Sequence, residues 1–347
     1  MQAIRTHLDL RVPDELLALE PSRFPVLSVY ADWGVSGRGL HEARSTIRKQ
    51  LHEASRTVLQ RGAARESFDA TAERVLAFLD EAPVDVEALA IFACAGDDLW
   101  HVATLAAPVP TLAHAGAVPL IGPLARATQD AAPVLVALGD TTTLRLIALD
   151  HPRPQELGHL RAHTWGGAHG ASKTGWRRGH VQHAYEVELK RHAHAAAQAI
   201  GDALRRTGLH RYAVAGDEVF VPALVAALPP PEQVRLVGEW HLDIRATVDE
   251  VARAVWPAVR ERTAAERERE VAAIVERAGA DAPTRPEELR DLLVAGRVDT
   301  LAMDTSMVKS PAAELLLRGA LRRRSRVLIT EGDARLVAAG GLIGTLR

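Results

Sequence analysis

Residues 211–240 read RYAVAGDEVFVPALVAALPPPEQVRLVGEW, and the order of patterns in this stretch decides the fold class. Arg211–Ala215 is a short β-rich run, Gly216-Asp217 a turn, and Glu218–Leu228 an apolar helical stretch. Pro229-Pro230-Pro231 ends that helix, because proline has no N–H to donate and clashes with the preceding turn. A second β-rich run over Gln233–Glu239 completes a β-α-β unit, the connection that parallel strands require. The stretch predicts an α/β fold with a parallel sheet.

Upstream, Pro133–Leu138 and Thr143–Leu149 read as strands joined by Gly139-Asp140. A helix is predicted from Val181, with Val181, Tyr185, Leu189, Ala196, Ile200 and Leu204 on one side and Gly208 as its stop. Downstream, Thr247-Val-Asp-Glu250 is a capping box. It opens a helix to about Arg277 in which Pro257 is an expected kink, and the interleaved charges of Glu261–Glu270 read as a solvated face. The first third offers a strand over Phe24–Ala31, a turn over Asp32–Gly39, and helices over Leu40–Leu59 and Phe68–Leu79. Strands follow at Ala88–Ala93 and Leu99–Leu105 around the hairpin signal Gly96-Asp97-Asp98, and residues 107–111 read as an irregular connector. The end of the chain reads as helix Pro286–Ala295, strand Arg297–Met303, helix Pro311–Arg322, and strands Arg326–Thr330 and Gly341–Leu346. The expectation is three α/β domains in series: residues 1–125, 126–278 and 279–347.

A chain of 347 residues is too long for one ordinary core, which agrees with that division. Aromatic residues make up only 4%, so the cores must be built from Val, Leu, Ile and Ala. The formal net charge of −2 excludes a globally basic nucleic-acid binder but not a local basic surface. Cys94 is the one cysteine, set in the apolar run Ala90–Cys94, so no intramolecular disulfide forms and a buried spectator thiol in a reducing compartment is expected. The N-terminal residues lack the basic-then-apolar order of a signal peptide. No apolar run is long enough to span a bilayer. A cytoplasmic protein without a membrane partner is expected.

The segment that stands out chemically is Leu157–Tyr185, LGHLRAHTWGGAHGASKTGWRRGHVQHAY. It holds no Asp or Glu, although acids outnumber Lys and Arg in the chain. Arg161, Lys173, Arg177 and Arg178 lie in it with His159, His163, His169, His180 and His183, six glycines, and the rings of Trp165 and Trp176. After Asp150 the periodic pattern stops for about thirty residues, so a long loop is expected, and such loops are commonly functional. Cations for phosphates, glycines for close approach and an indole to stack on a base together suit RNA. The candidate RNA-binding residues are Arg161, Trp165, Lys173, Gly175, Trp176, Arg177, Arg178, His180, Gln182 and His183. The competing reading is a mobile surface loop of accidental composition.

Metal binding is disfavoured, because no carboxylate lies between Glu156 and Glu186. His192 and His194 project roughly 200° apart on a helix and cannot share an ion. No nucleophile elbow, phosphate loop or dinucleotide fingerprint is present, so no catalytic residue and no cofactor is assigned. Asp217 and Glu218 at a helix start read as capping groups, and Arg322-Arg323-Arg324 at a helix end reads as structural.

The order of LSVYAD at residues 27–32, VLVALGD at 134–140, LRLIALD at 144–150, the Gly/Trp/Arg loop, RYAVAGDEVFVPALVAAL at 211–228 and AGRVDTLAMD at 295–304 resembles a known family. It is similar to the bacterial relatives of archaeal and eukaryotic peptide-chain release factors and Pelota, and most resembles the Balon-type ribosome hibernation factors. The resemblance covers nearly the whole chain. It implies a release-factor/Pelota-like protein whose middle-domain loop reaches ribosomal RNA at the A site near the peptidyl-transferase centre. It also implies that the C-terminal domain helps dock a translational GTPase, here elongation factor Tu. In release factors a Gly-Gly-Gln loop orients the water that cleaves peptidyl-tRNA. Here the corresponding run is Gly175-Trp176-Arg177-Arg178, so Arg178 stands where the glutamine is expected, and Gly166-Gly167 is followed by Ala168. Arginine has no carbonyl acceptor. The turn Asp32–Gly39 would face the decoding centre and lacks an Asn-Ile-Lys-Ser motif. The resemblance with these departures implies a non-catalytic hibernation or stress factor. The alternative is a peptidyl-tRNA-hydrolysing release or rescue factor that uses Gln182 or a histidine.

Overall fold

Three sheets form, one for each group of β-rich runs, and the α/β expectation holds throughout. The computed structural model describes residues 12–34, 39–57, 62–81, 88–105, 107–149, 154–161, 175–279 and 282–347. The chain divides into two compact units, one of residues 1–131 with 263–347 and the other of residues 132–262.

The first unit begins with α1 (Asp14–Ala18), β1 (Val26–Asp32), α2 (Leu40–Thr57), α3 (Ala63–Asp80), β2 (Ala88–Cys94), β3 (Leu99–Leu105), β4 (Leu112–Gly116) and α4 (Gly122–Asp130). The strands form an antiparallel sheet in the order β3-β2-β1-β4. β1 is apolar almost without a break because both its faces are covered. Leu27, Val29 and Ala31 pack with Ile47, Phe68 and Val75 of the helices, whereas Tyr30 belongs to a second cluster on the other face. Cys94 is buried, and burial pushes its thiol pKa up, which agrees with a spectator role. β4 and α4 carry no periodic signal: β4 is LAHAG at the sheet edge, and α4 is a short helix opened by Pro123.

The second unit contains β5 (Val134–Gly139), β6 (Thr143–Leu149), β7 (Gln155–Arg161), α5 (Gly175–Thr207), β8 (Tyr212–Gly216), α6 (Phe220–Ala227), α7 (Pro230–Gln233) and β9 (Leu236–His241). The order is β7-β6-β5-β8-β9, with β5-β8 and β8-β9 parallel as the β-α-β reading requires. Gly216 lies against Gly139, and a Cβ there would sit 1.9 Å from the Gly139 carbonyl oxygen, so the parallel pair closes only on glycine. The strand expected from Gln233 begins at Leu236 instead. Pro230 fits the first turn of a helix, where its missing N–H is not needed, and Glu232 and Gln233 donate back to the Pro229 carbonyl. Asp217 accepts from the N–H groups of Val219 and Phe220, which is the capping role expected of it.

α8 (Val248–Ala278) starts in the second unit and continues past Pro257 into the first. Its capping box forms: Thr247 N–H donates to Glu250 at 2.8 Å and Glu250 N–H donates to Thr247 Oγ1 at 3.2 Å. The solvated-face reading of Glu261–Glu270 needs correction. Arg267 is buried and paired with Asp130, which Arg126 also holds at 2.6 Å, and Glu270 pairs with Arg326. Charges interleaved at helical spacing do not reveal which of them faces a neighbouring element.

The first unit is completed by α9 (Pro286–Val294), β10 (Val298–Asp304), α10 (Pro311–Arg322), β11 (Arg326–Thr330), α11 (Ala334–Ala338) and β12 (Leu342–Leu346). β11-β10 is parallel and β10-β12 antiparallel. Leu293, Met303 and Leu317 share one apolar cluster with Leu16, Tyr30, Phe92 and Leu124. Glu314 is buried beside that cluster and accepts from the N–H groups of Ile121 and Gly122 at 2.9 and 3.2 Å. No helix of the described residues is long and apolar enough to cross a membrane.

Candidate RNA-binding site

The site is built on the edge strand β7 and the long helix α5, which leave the two ends of the segment 162–174. The loop expected over Leu157–Tyr185 is therefore shorter than its composition suggests: its first residues are strand and its last eleven are helix. β7 escapes a periodicity reading because its apolar residues, Leu157 and Leu160, are three apart. The register slips opposite Leu146/Ile147, and this bulge turns both leucines toward the core of the second unit.

Arg145 on β6 fixes this edge. Its guanidinium pairs with Glu156 of β7, and Nη1 donates to the carbonyls of Ile244 and Ala246 at 2.8 and 2.6 Å. The Arg145 guanidinium hydrogen-bonded to Glu156 holds that carboxyl below its ordinary pKa. Sequence reasoning missed Arg145; its signal is a lone cation inside the apolar strand Thr143–Leu149. β7 then runs outward to His159, opposite Arg145, and to Arg161, opposite Thr143, and both are exposed.

α5 is held at its far end by Ala196, Ala197, Ile200, Ala203 and Leu204, all buried in one cluster with residues of the sheet. Its near end has a different environment. His183, Tyr185, Glu186 and Val187 are all exposed. At 100° per residue these four positions fall on more than one side of the helix, so exposure here is not confined to a single face. Tyr185, expected on the buried side, is 48% exposed. The buried stripe starts only at the half-buried Leu189.

Of the candidate residues, Arg161 ends β7, Gly175 opens α5, and His183 is exposed two turns further on. Trp176, Arg177, Arg178, His180 and Gln182 lie on helical backbone in the first turns of α5, with their side chains outside the described residues. Trp165 and Lys173 lie outside the described residues altogether. Gln182, expected at the helix start, stands two turns inside it. The first turn of α5 contains no acid, although acids are favoured there by the free N–H groups and the helix dipole. Placing Arg177 and Arg178 at that end concentrates positive potential, a poor arrangement for an isolated helix and a good one for holding an anion.

His192 and His194 separate as predicted. His192 is buried against Phe220 with ring centroids 5.0 Å apart, whereas His194 is exposed and its Nδ1 lies 2.8 Å from the Lys190 carbonyl oxygen. Burial lowers the His192 pKa, more than the nearby Asp140 raises it.

Residues 119–261 match the family model of bacterial archaeo-eukaryotic release factor family 10. Over that segment the chain is similar to the bacterial archaeo-eukaryotic release factors. The matched segment contains the whole five-stranded sheet and every candidate from Arg161 to His183. Among solved structures, an archaeal translation termination factor, aRF1, aligns over 96% of this chain and 95% of its own at 15% identity and a TM-score of 0.27. Ribosome-bound archaeal Pelota aligns over 99% and 95% at 15% identity and a TM-score of 0.47. Archaeoglobus fulgidus Pelota aligns over 75% and 78% at 13% identity and a TM-score of 0.38. A comparison with curated proteins finds no match.

Proposed function

We propose that this chain is a translation factor that binds the ribosome and occupies the A site without cleaving peptidyl-tRNA, as a hibernation or stress factor in the cytoplasm. The observation that carries the reading is the position of Arg177 and Arg178 in the acid-free first turn of α5, inside the matched segment. A phosphate at that turn would meet free N–H groups and two guanidinium groups together. Arg178 in the place of the glutamine removes the carbonyl that would orient a hydrolytic water. In this proposal the chain works as three parts in series. Residues 126–278 carry the contact with ribosomal RNA near the peptidyl-transferase centre, through Arg161, Trp165, Lys173, Gly175, Trp176, Arg177, Arg178, His180, Gln182 and His183. Residues 1–125 face the decoding centre, and residues 279–347 dock elongation factor Tu.

Two measurements on the full chain test the proposal. It should co-sediment with 70S ribosomes from stationary cells at low salt and lose them as salt rises. Added to ribosomes carrying peptidyl-tRNA, it should leave the peptide attached. Peptide release at a catalytic rate would establish the release or rescue reading in its place, and absence from the 70S fraction at low salt would remove the ribosome from the account.

A further inference from the structure

α9 and α10 end in the same cap. After α9, Arg297 N–H donates to the Leu292 carbonyl at 2.9 Å and Gly296 N–H to the Leu293 carbonyl at 3.0 Å. After α10, Ser325 N–H donates to the Ala320 carbonyl at 2.9 Å and Arg324 N–H to the Leu321 carbonyl at 3.1 Å. Both are Schellman caps, whose left-handed position is normally glycine. Gly296 occupies it at φ +69° in the first, but Arg324 occupies it at φ +56° in the second. A side chain there is strained, so Arg324 is held where glycine would fit at lower energy.

The fold gathers other arginines at this place. Arg347 N–H donates to the Arg297 carbonyl at 2.9 Å, and Arg347 Nη2 lies 3.5 Å from the Arg323 carbonyl oxygen. A Cβ added at Gly296 would lie 3.9 Å from Arg323 Nη1, which puts that guanidinium beside the α9 cap. Arg297, Arg323, Arg324 and Arg347 are exposed and come from the ends of three elements. Among the described residues none of the four pairs with a carboxylate; the nearby acids Asp291 and Asp299 contact Arg290 and Thr300. The neighbouring arginines differ. Arg322 donates to the Leu17 carbonyl at 2.6 Å and lies 3.5 Å from Glu20, and Arg326 pairs with Glu270. The triplet 322–324 thus splits into one structural arginine and two free ones.

We propose that Arg297, Arg323, Arg324 and Arg347 form a docking surface for the phosphate backbone of RNA, separate from the α5 site. Four guanidinium groups without counter-charges, one of them on a strained residue, fit an unpaired polyanion and not a structural role. Guanidinium groups take phosphate oxygens two at a time and read no sequence.

The test uses the full chain, a labelled oligouridylate, and anisotropy titrations over a range of potassium chloride. Replacing the four arginines (Arg297→Gln, Arg323→Gln, Arg347→Gln and Arg324→Gly) should make the log–log salt slope shallower by roughly 3, at about 0.7 per lost phosphate contact. The single change Arg324→Gly should weaken binding without lowering the melting temperature, so its effect cannot come from misfolding. A comparator carrying Arg177→Gln and Arg178→Gln should lose slope independently, and the two losses should add. An unchanged slope in a fourfold variant that melts like the parent overturns the proposal. So does loss of binding to poly-glutamate with RNA binding intact, which would assign the surface to an acidic protein.

Discussion

Arg145 on β6 and Glu156 on β7 form a two-point ion pair, with Nε donating to Oε1 at 3.1 Å and Nη2 to Oε2 at 2.8 Å. Because Nη1 of the same arginine also holds the carbonyls of Ile244 and Ala246, one side chain ties the edge strand to the segment that opens α8. Arg145→Ala should lower the unfolding free energy by about 2 kcal/mol, after discounting charged hydrogen bonds for a partner that is 36% exposed. Glu156→Gln should cost about 0.5–1 kcal/mol, because the two carbonyl contacts survive. Glu156 has a depressed folded pKa, so its contribution is complete above its ordinary value of 4.5 and is lost as pH falls through the folded value. Urea titrations of both variants across mildly acidic pH check this; an Arg145→Ala protein as stable as the parent would show that β7 is held by its leucines alone.

His192 gives the second unit an acid-sensitive element. Its ring is buried against Phe220, and burial lowers its pKa below 6.5. Below pH 6.5 the unfolded chain binds a proton that the native ring resists, so the stability of this unit should fall as pH drops from 6.5. His192→Phe should flatten that slope. Native-state hydrogen exchange on β5 and β8, corrected for intrinsic rates, reports it, and equal slopes in parent and variant would assign the acid response elsewhere.

Glu314 gives the first unit the opposite slope. Burial pushes its carboxyl up to about 7, against the N–H groups of Ile121 and Gly122 and the nearby Arg318, which favour the charge. Between 4.5 and about 7 the native carboxyl keeps a proton that the unfolded one has released, so this contribution weakens as pH rises through that window. Exchange at β10 should therefore slow on mild acidification while exchange at β8 speeds up. Glu314→Gln should abolish the β10 response; a response that persists would point to another group.

The parts of this fold legible in the sequence are those with local causes. The Thr247/Glu250 capping box and the Asp217 cap lie within three residues of the groups they satisfy. The hairpin at Gly96–Asp98 closes with Cys94 opposite Leu99. β7 was lost to a bulge, β4 to a sequence of small residues at an edge, and the inward turn of Arg267 to a partner 137 residues away. The candidate site was found by composition, a signal independent of secondary structure. Composition marks its candidate residues but extends the loop too far, because glycine and arginine in the first turn of α5 do not look like a helix start.

That helix start supplies the last prediction. Acids near a helix N-terminus stabilise it by about 0.3–1 kcal/mol each, and cations act in the opposite sense. Arg177→Glu and Arg178→Glu should thus make the protein more stable, by about that amount per site, while weakening its hold on ribosomes and reducing the salt dependence of binding. Trp176→Ala should weaken ribosome binding by about 1–3 kcal/mol through a lost base stack, with the salt slope unchanged. The pairing of opposite effects is the decisive feature, since an ordinary surface helix would gain stability and lose nothing. Urea unfolding and 70S co-sedimentation of the same variants provide both readings, and a glutamate variant that binds ribosomes as tightly as the parent would remove α5 from the interface.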